Sequence, residues 1–269
     1  MTTTQRWLTV VTVVKDDPTA LRRTMDSLGN QHEAGAWEWL VVDSSADAAQ
    51  IAAIVDAGPR PEGVEQRIVW TTPLGVYSAM NTALSHTLGE FVLFLNAGDT
   101  LVADDVLTRV HDVVQAQDPR WLFGPVDIDQ IDGVRVRTPA WDVAAERRAC
   151  FARGHFPPHQ GTFARRADLL ASGGFDTRYA IAADYAMFLH LADLGDPVQL
   201  DFPVAVFVEG GLSTQRWRES FREFHAARRR ILAPRGWSAV REQFETIRHY
   251  AAVSTYRALR SMRRTLGRR

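Results

Sequence analysis

Cysteine is nearly absent from this chain of 269 residues: Cys150 is the only one. A single thiol closes no intramolecular disulfide, so the natural setting is a reducing compartment. Long apolar runs are missing too. No stretch approaches the roughly 20 residues that a membrane-spanning helix needs. Residues 1–6 are polar, without the charged-then-apolar pattern of a secretory leader. The expectation is a cytoplasmic protein, with peripheral contact at the inner face of the membrane left open. The formal net charge is only −1, so no global field argues for nucleic acid as a partner. No G-x-G-x-x-G follows the first strand candidate, and no P-loop signature occurs. A dinucleotide-dependent oxidoreductase therefore ranks low. Internal repeats and low-complexity linkers are also absent.

What is present is hydrophobic content of 46%, enough for one large α/β domain, alone or with an appendage. The first half alternates strand and helix signals. Residues 8–14 (LTVVTVV) are β-branched and nearly continuous in apolar character, as a strand buried on both faces requires. Helices are expected at 18–28, 46–57, 76–88 and 104–115. Strands are expected at 37–42, 67–71 and 90–95. This alternation predicts a doubly wound, mostly parallel sheet. Ligands in such sheets bind beyond the carboxyl ends of the strands. Polar residues stand at those ends: Lys15 and Asp16, Asp43, Asn96 and Asp99.

The second half is less regular. Short strands are expected at 121–124 and 134–137, a loop at 153–160, a helix at 182–194 and a strand at 204–208. Two helices follow at 216–232 and 239–266, split by Pro234-Arg235-Gly236. In the last, Val240, Phe244, Ile247, Ala251, Leu259, Met262 and Leu266 fall at helical spacing. Residues 216–269 hold 15 Arg against 4 Glu, a balance of +11, which leaves −12 for the remainder. An acidic body, 1–214, is thus expected to carry a basic helical appendage, 215–269. The basic faces could be solvated, pack a second subunit as a homodimer, or lie on an anionic membrane.

The succession LTVVTVVKDD, WLVVDSSAD, GVYSAMNTAL, GEFVLFLNAGD, HQGTF, GGFD, AADYAMFLHL and GGLST resembles family 2 glycosyltransferases of the GT-A fold. It is most similar to the branch found in colanic-acid and mycobacterial glycolipid gene clusters. Each motif alone is weak; their order and spacing are specific. The resemblance implies an inverting transferase that moves a sugar from a nucleotide diphosphate donor to a hydroxyl acceptor, which could be lipid-linked. A non-catalytic nucleotide-sugar-binding protein of the same fold is the rival from another class. A nucleotidyltransferase would instead release pyrophosphate.

Transfer of this kind has three needs. Charge on the departing diphosphate must be neutralised, the acceptor must lose a proton, and the reactants must be aligned. Asn96-Ala97-Gly98-Asp99 resembles the family's metal motif, through which Asp99 would share a weakly bound Mn2+ or Mg2+ with the diphosphate. Aspartates usually stand where Asn96 and Gly98 do. The plain alternative is a polar turn. Asp184 is the expected base; otherwise it merely answers a helix dipole. His159 could complete the metal shell or bind a phosphate, or be a satisfied loop histidine; His155 is the weaker candidate. The resemblance places Thr12, Val14, Asp43, Gly75, Tyr77, Asn81 and Asn96 on the donor, with Ser78 where the branch usually has Asp. Asp47 is equally explained by helix capping. Ser213 and Thr214 would meet the diphosphate after the Gly210-Gly211 turn, or cap the next helix. Gln160, Gly174, Phe175 and Asp176 fall on the acceptor side, with Asp176 expected to shape its loop.

Overall fold

Seven consecutive buried residues make β1 (Leu8–Val14), and seven more make β2 (Trp37–Asp43). Both strands are covered on two faces, which is why their apolar runs do not alternate. Between them lies α1 (Pro18–Gly29), with Pro18 in the first turn and Asp17 accepting from the Ala20 amide at 2.9 Å. Next in chain order come α2 (Ala48–Ala57), β3 (Val64–Trp70), α3 (Val76–His86), β4 (Phe91–Phe94), β5 (Thr100–Leu101) and α4 (Val106–Gln117). The second half adds β6 (Trp121–Phe123), β7 (Val126–Asp129), β8 (Arg135–Arg137), β9 (Thr162–Arg165), α5 (Arg166–Ala171) and α6 (Ala183–Leu194). Last are β10 (Val198–Gln199), β11 (Ala205–Val208), α7 (Trp217–Ile231) and α8 (Trp237–Leu266). The computed structural model describes residues 6–59, 61–139, 156–210 and 216–266, with the α8 side chains described as far as Thr255.

The main sheet has the order β10-β6-β9-β4-β1-β2-β3. Its members run parallel except β9, which is antiparallel to both β4 and β6. One apolar layer joins the sheet to α1, α2 and α4 through Leu21, Met25, Ile51, Ile54, Val106 and Val110. The other joins it to α3, α5, α6 and α7 through Ala79, Ala83, Leu169, Phe188 and Ala227. A smaller sheet, β5-β11-β7-β8, lies beyond the NAGD turn. It takes in the strands expected at 134–137 and 204–208.

The α/β architecture agrees with the sequence reading. The strands β5, β7, β9 and β10 and the short helix α5 were not foreseen. The segment expected as an appendage is helical over its described part, but α7 is built into the domain rather than appended to it. Ala227 is fully buried in the second apolar layer, and Arg228 is 2% exposed. The Arg228 guanidinium donates to Glu242 at 2.6 Å, to Thr246 at 2.7 Å and to the Tyr185 hydroxyl at 3.0 Å, which ties α7 to α8 and α6.

Candidate active site

The strands β1, β2 and β4 finish along one edge of the sheet. Val14 pairs with Asp43, and the Leu95 and Ala97 amides continue onto Val11 and Val13. Two loops on this edge are clasped together. The Asp16 amide donates to Ser45 Oγ at 2.7 Å, while Asp16 Oδ1 accepts from the Ala46 amide at 2.8 Å. Asp43 is buried beside this clasp. Its Oδ1 accepts from the Ser45 amide at 2.8 Å, and its Oδ2 has no hydrogen-bond partner among the described residues. Thr12 is committed elsewhere: its hydroxyl donates to Leu95 O and accepts from the Trp39 indole. Val14 packs in the first apolar layer. Asp47 caps α2, accepting from the Gln50 amide at 3.1 Å.

The turn after β4 is shaped by Gly98, whose φ of 100° lies where side chains are disfavoured. Its amide donates to Thr24 Oγ1 at 2.9 Å, and that hydroxyl donates to Asp99 O at 2.7 Å. A carboxylate at position 98 would have to strain this backbone, which accounts for glycine there. Burial pushes the Asp99 carboxyl up to about 6, opposed by the nearby His159, the Asn96 amide, the Gln160 side chain and Arg23. Gln160, expected toward the acceptor, has its side chain on Asp99.

His159 reaches this edge because β9 runs backward. The residues just before an antiparallel strand emerge where the parallel strands end. His159 Nε2 lies 3.2 Å from Asn96 Nδ2, and Nδ1 lies 3.5 Å from Asp184 Oδ2. With Nε2 accepting from the amide, the imidazole proton sits on Nδ1 and faces the carboxylate. Asp184 Oδ1 also accepts from the Tyr185 amide at 2.7 Å and lies 3.2 Å from the Tyr77 hydroxyl, whose shorter bond, 2.6 Å, is to Ile181 O. Burial, and then the charge of Asp184, raise Tyr77 well above its ordinary value, so this phenol keeps its proton.

Glu223 was not foreseen. From α7 its carboxylate accepts from the Ala180, Ile181 and Ala182 amides at 3.0, 2.8 and 2.9 Å. These amides belong to the segment leading into α6, whose first-turn Tyr185 amide is taken by Asp184 itself. The sequence held one signal, an acid persisting within an arginine-rich helix.

Asn81 was expected on the donor. Its amide is taken at both ends by the Phe175 backbone, each bond 2.8 Å. Gly174 makes this possible: its φ is 71°, and a Cβ there would fall 2.5 Å from Asn81 Oδ1. Phe175 then stacks on Tyr77 with ring centroids 5.6 Å apart. Asp176 forms a two-pronged pair with Arg178, which holds its carboxyl below the usual range, and it faces Arg230 at 3.6 Å. Its Oδ1 also accepts from the Arg178 amide at 3.2 Å. Gly75 opens α3 with an exposed N-terminus and no side-chain cap. Ser213, Thr214 and His155 lie outside the described residues.

Among the described residues no three His, Cys, Asp or Glu side chains converge as a metal cluster. The oxygens at hand are the Asp99 carboxylate and Asn96 Oδ1, which is buried and unpartnered. Two hard oxygens fit a divalent cation completed by a ligand's phosphates and water, not a self-sufficient metal site.

The fold matches S. aureus TarS 1–349 in complex with UDP-GlcNAc, with a TM-score of 0.61 at 17% identity, covering 84% of this chain and 65% of that one. This chain spans only 39% of the longer TarS chain. It also matches a mannosyltransferase from Pyrobaculum calidifontis in complex with GDP-Man and Mn2+, with a TM-score of 0.58 at 20% identity, covering 94% and 76%. In sequence it is 26% identical over 220 residues to an uncharacterized glycosyltransferase of Mycobacterium tuberculosis, covering 78% of each. It is 31% identical over 166 residues to a PGL/p-HBAD biosynthesis glycosyltransferase of Mycobacterium bovis, covering 60% of each. The family model for Glycosyl transferase family 2 matches residues 9–169, and the chain belongs to that family.

Proposed function

We propose that this glycosyltransferase moves a sugar from a nucleoside diphosphate donor to an acceptor hydroxyl with inversion, and that Asp184 is the base. The observation that carries the reading is the path from Asn96 through His159 to Asp184. It joins the strand end where a diphosphate would lie to the carboxylate in the first turn of α6. Neighbours of this fold that hold UDP-GlcNAc, or GDP-Man with Mn2+, support the donor class.

In this reading the acceptor oxygen gives its proton to Asp184 as it bonds to the anomeric carbon. The bond from that carbon to the diphosphate oxygen breaks on the opposite face, and the nucleoside diphosphate leaves with the electron pair. His159 and the Tyr185 amide hold the carboxylate in place as proton donors. Asp43 Oδ2 offers an acceptor to the base. Asp99 and Asn96 would hold Mn2+ or Mg2+, which when bound supplies neutralising charge to the diphosphate.

Asp184→Asn tests this. The variant should keep donor affinity, read by calorimetry with a panel of nucleotide sugars and Mn2+, while turnover falls about 100- to 10,000-fold. Near-normal turnover would remove Asp184 from the mechanism. Tight donor binding by the unaltered chain, without hydrolysis or transfer of any donor, would favour a binding protein. The anomeric configuration of the product, read by NMR coupling, decides inversion.

A further inference from the structure

The last helix faces the wrong way for a helix of a globular protein. An amphipathic helix ordinarily turns its apolar stripe inward. The inward side of α8 is instead mixed: Glu242 is buried against Arg228 and His225, Thr246 accepts from Arg228, and His249 and Tyr250 set their rings on Phe221 and Trp217 of α7. Its apolar stripe points out. Trp237 is 88% exposed, Val240 58%, Phe244 63% and Ile247 58%, at intervals of three, four and three residues. Large apolar residues contiguous on a surface mark a contact.

We propose that α8 docks on an anionic lipid surface. Charge selects this occupant. Residues 216–269 carry 15 Arg against 4 Glu, and Arg235, Arg241 and Arg248 are exposed beside the stripe. A second copy meeting α8 through a two-fold axis would set one +11 segment against another. An acidic bilayer meets both needs: acyl chains for Trp237, Phe244 and Ile247, and phosphates for the arginines. Among the described residues no helix is long and apolar enough to cross a membrane, so contact is along the surface. The buried Arg228 ties this helix to Tyr185, next to Asp184. Docking would therefore hold the candidate site at a fixed attitude to the bilayer. The docking itself does not depend on the role of Asp184.

The test is sedimentation of the full chain with vesicles of phosphatidylcholine, with and without phosphatidylglycerol. Binding is expected to the anionic vesicles only, and to weaken with salt. Arg235→Gln and Arg241→Gln should each weaken it about fivefold. The pair Phe244→Glu and Ile247→Glu should abolish it, while the melting temperature and donor hydrolysis without vesicles stay unchanged. Three results would overturn the proposal: equal binding to neutral vesicles, no binding to either, or undiminished binding by the Phe244/Ile247 variant. A dimer in analytical ultracentrifugation that this variant disperses, without vesicle binding, would assign the stripe to a second copy instead.

Discussion

At Asp99, burial has raised a carboxyl to about 6. The sign matters. Because folding raises this group from its ordinary 3.8, it favours the folded state in acid and costs stability as pH climbs through about 6. A cation needs the ionised form. The Mn2+-dependent part of donor affinity should therefore fall about tenfold between pH 7 and pH 5. Calorimetry with and without chelator checks this; a flat profile would take Asp99 out of the cation site. Asp43 and Asp99 stood out at the residue scale because they follow apolar strands, whereas Asp184 stood out only through the motif resemblance. The use made of Asn81 was not legible in the sequence. Its partner, Phe175, is 94 residues away, and nothing local says that an amide on α3 will fasten a glycine turn. Gln160 illustrates the same limit, since one position in a loop decides whether a side chain faces Asp99 or open space.

Among the elements, α6 depends on a neighbour. The three amides just ahead of it are satisfied by Glu223 from α7. Glu223→Ala would strand these donors at the entry to the helix, at a cost of about 2–4 kcal/mol. It should also lower turnover, since Asp184 sits in that first turn. Urea unfolding and steady-state rates measure the two effects; wild-type stability would show that water replaces the carboxylate. Strands β1 and β2 could be read because β-branched runs buried on both faces look like nothing else. Strand β9 could not. Its four residues, TFAR, carry no period, and only pairing with β4 and β6 makes them a strand. The start of β3 lies at Val64 rather than residue 67, since register with Trp37 extends the ladder.

For the whole molecule, the expected boundary at 214 has a measurable consequence. A chain ending there would lose Ala227 from the second apolar layer and Glu223 from the entry to α6. It would also leave the Phe224 face of Tyr185 uncovered. Such a truncation should lack a cooperative thermal transition. A sharp calorimetric peak from residues 1–214 would show two independent units. The reversal of β9 sets another condition. It is an interior strand, held from both sides, so the imidazole ahead of it takes its address from sheet register and not from loop conformation. Sliding that strand by a single residue would exchange inward and outward faces and carry the histidine away from Asn96. The connections around this crevice are open to redesign, but its middle span is fastened to the scaffold itself.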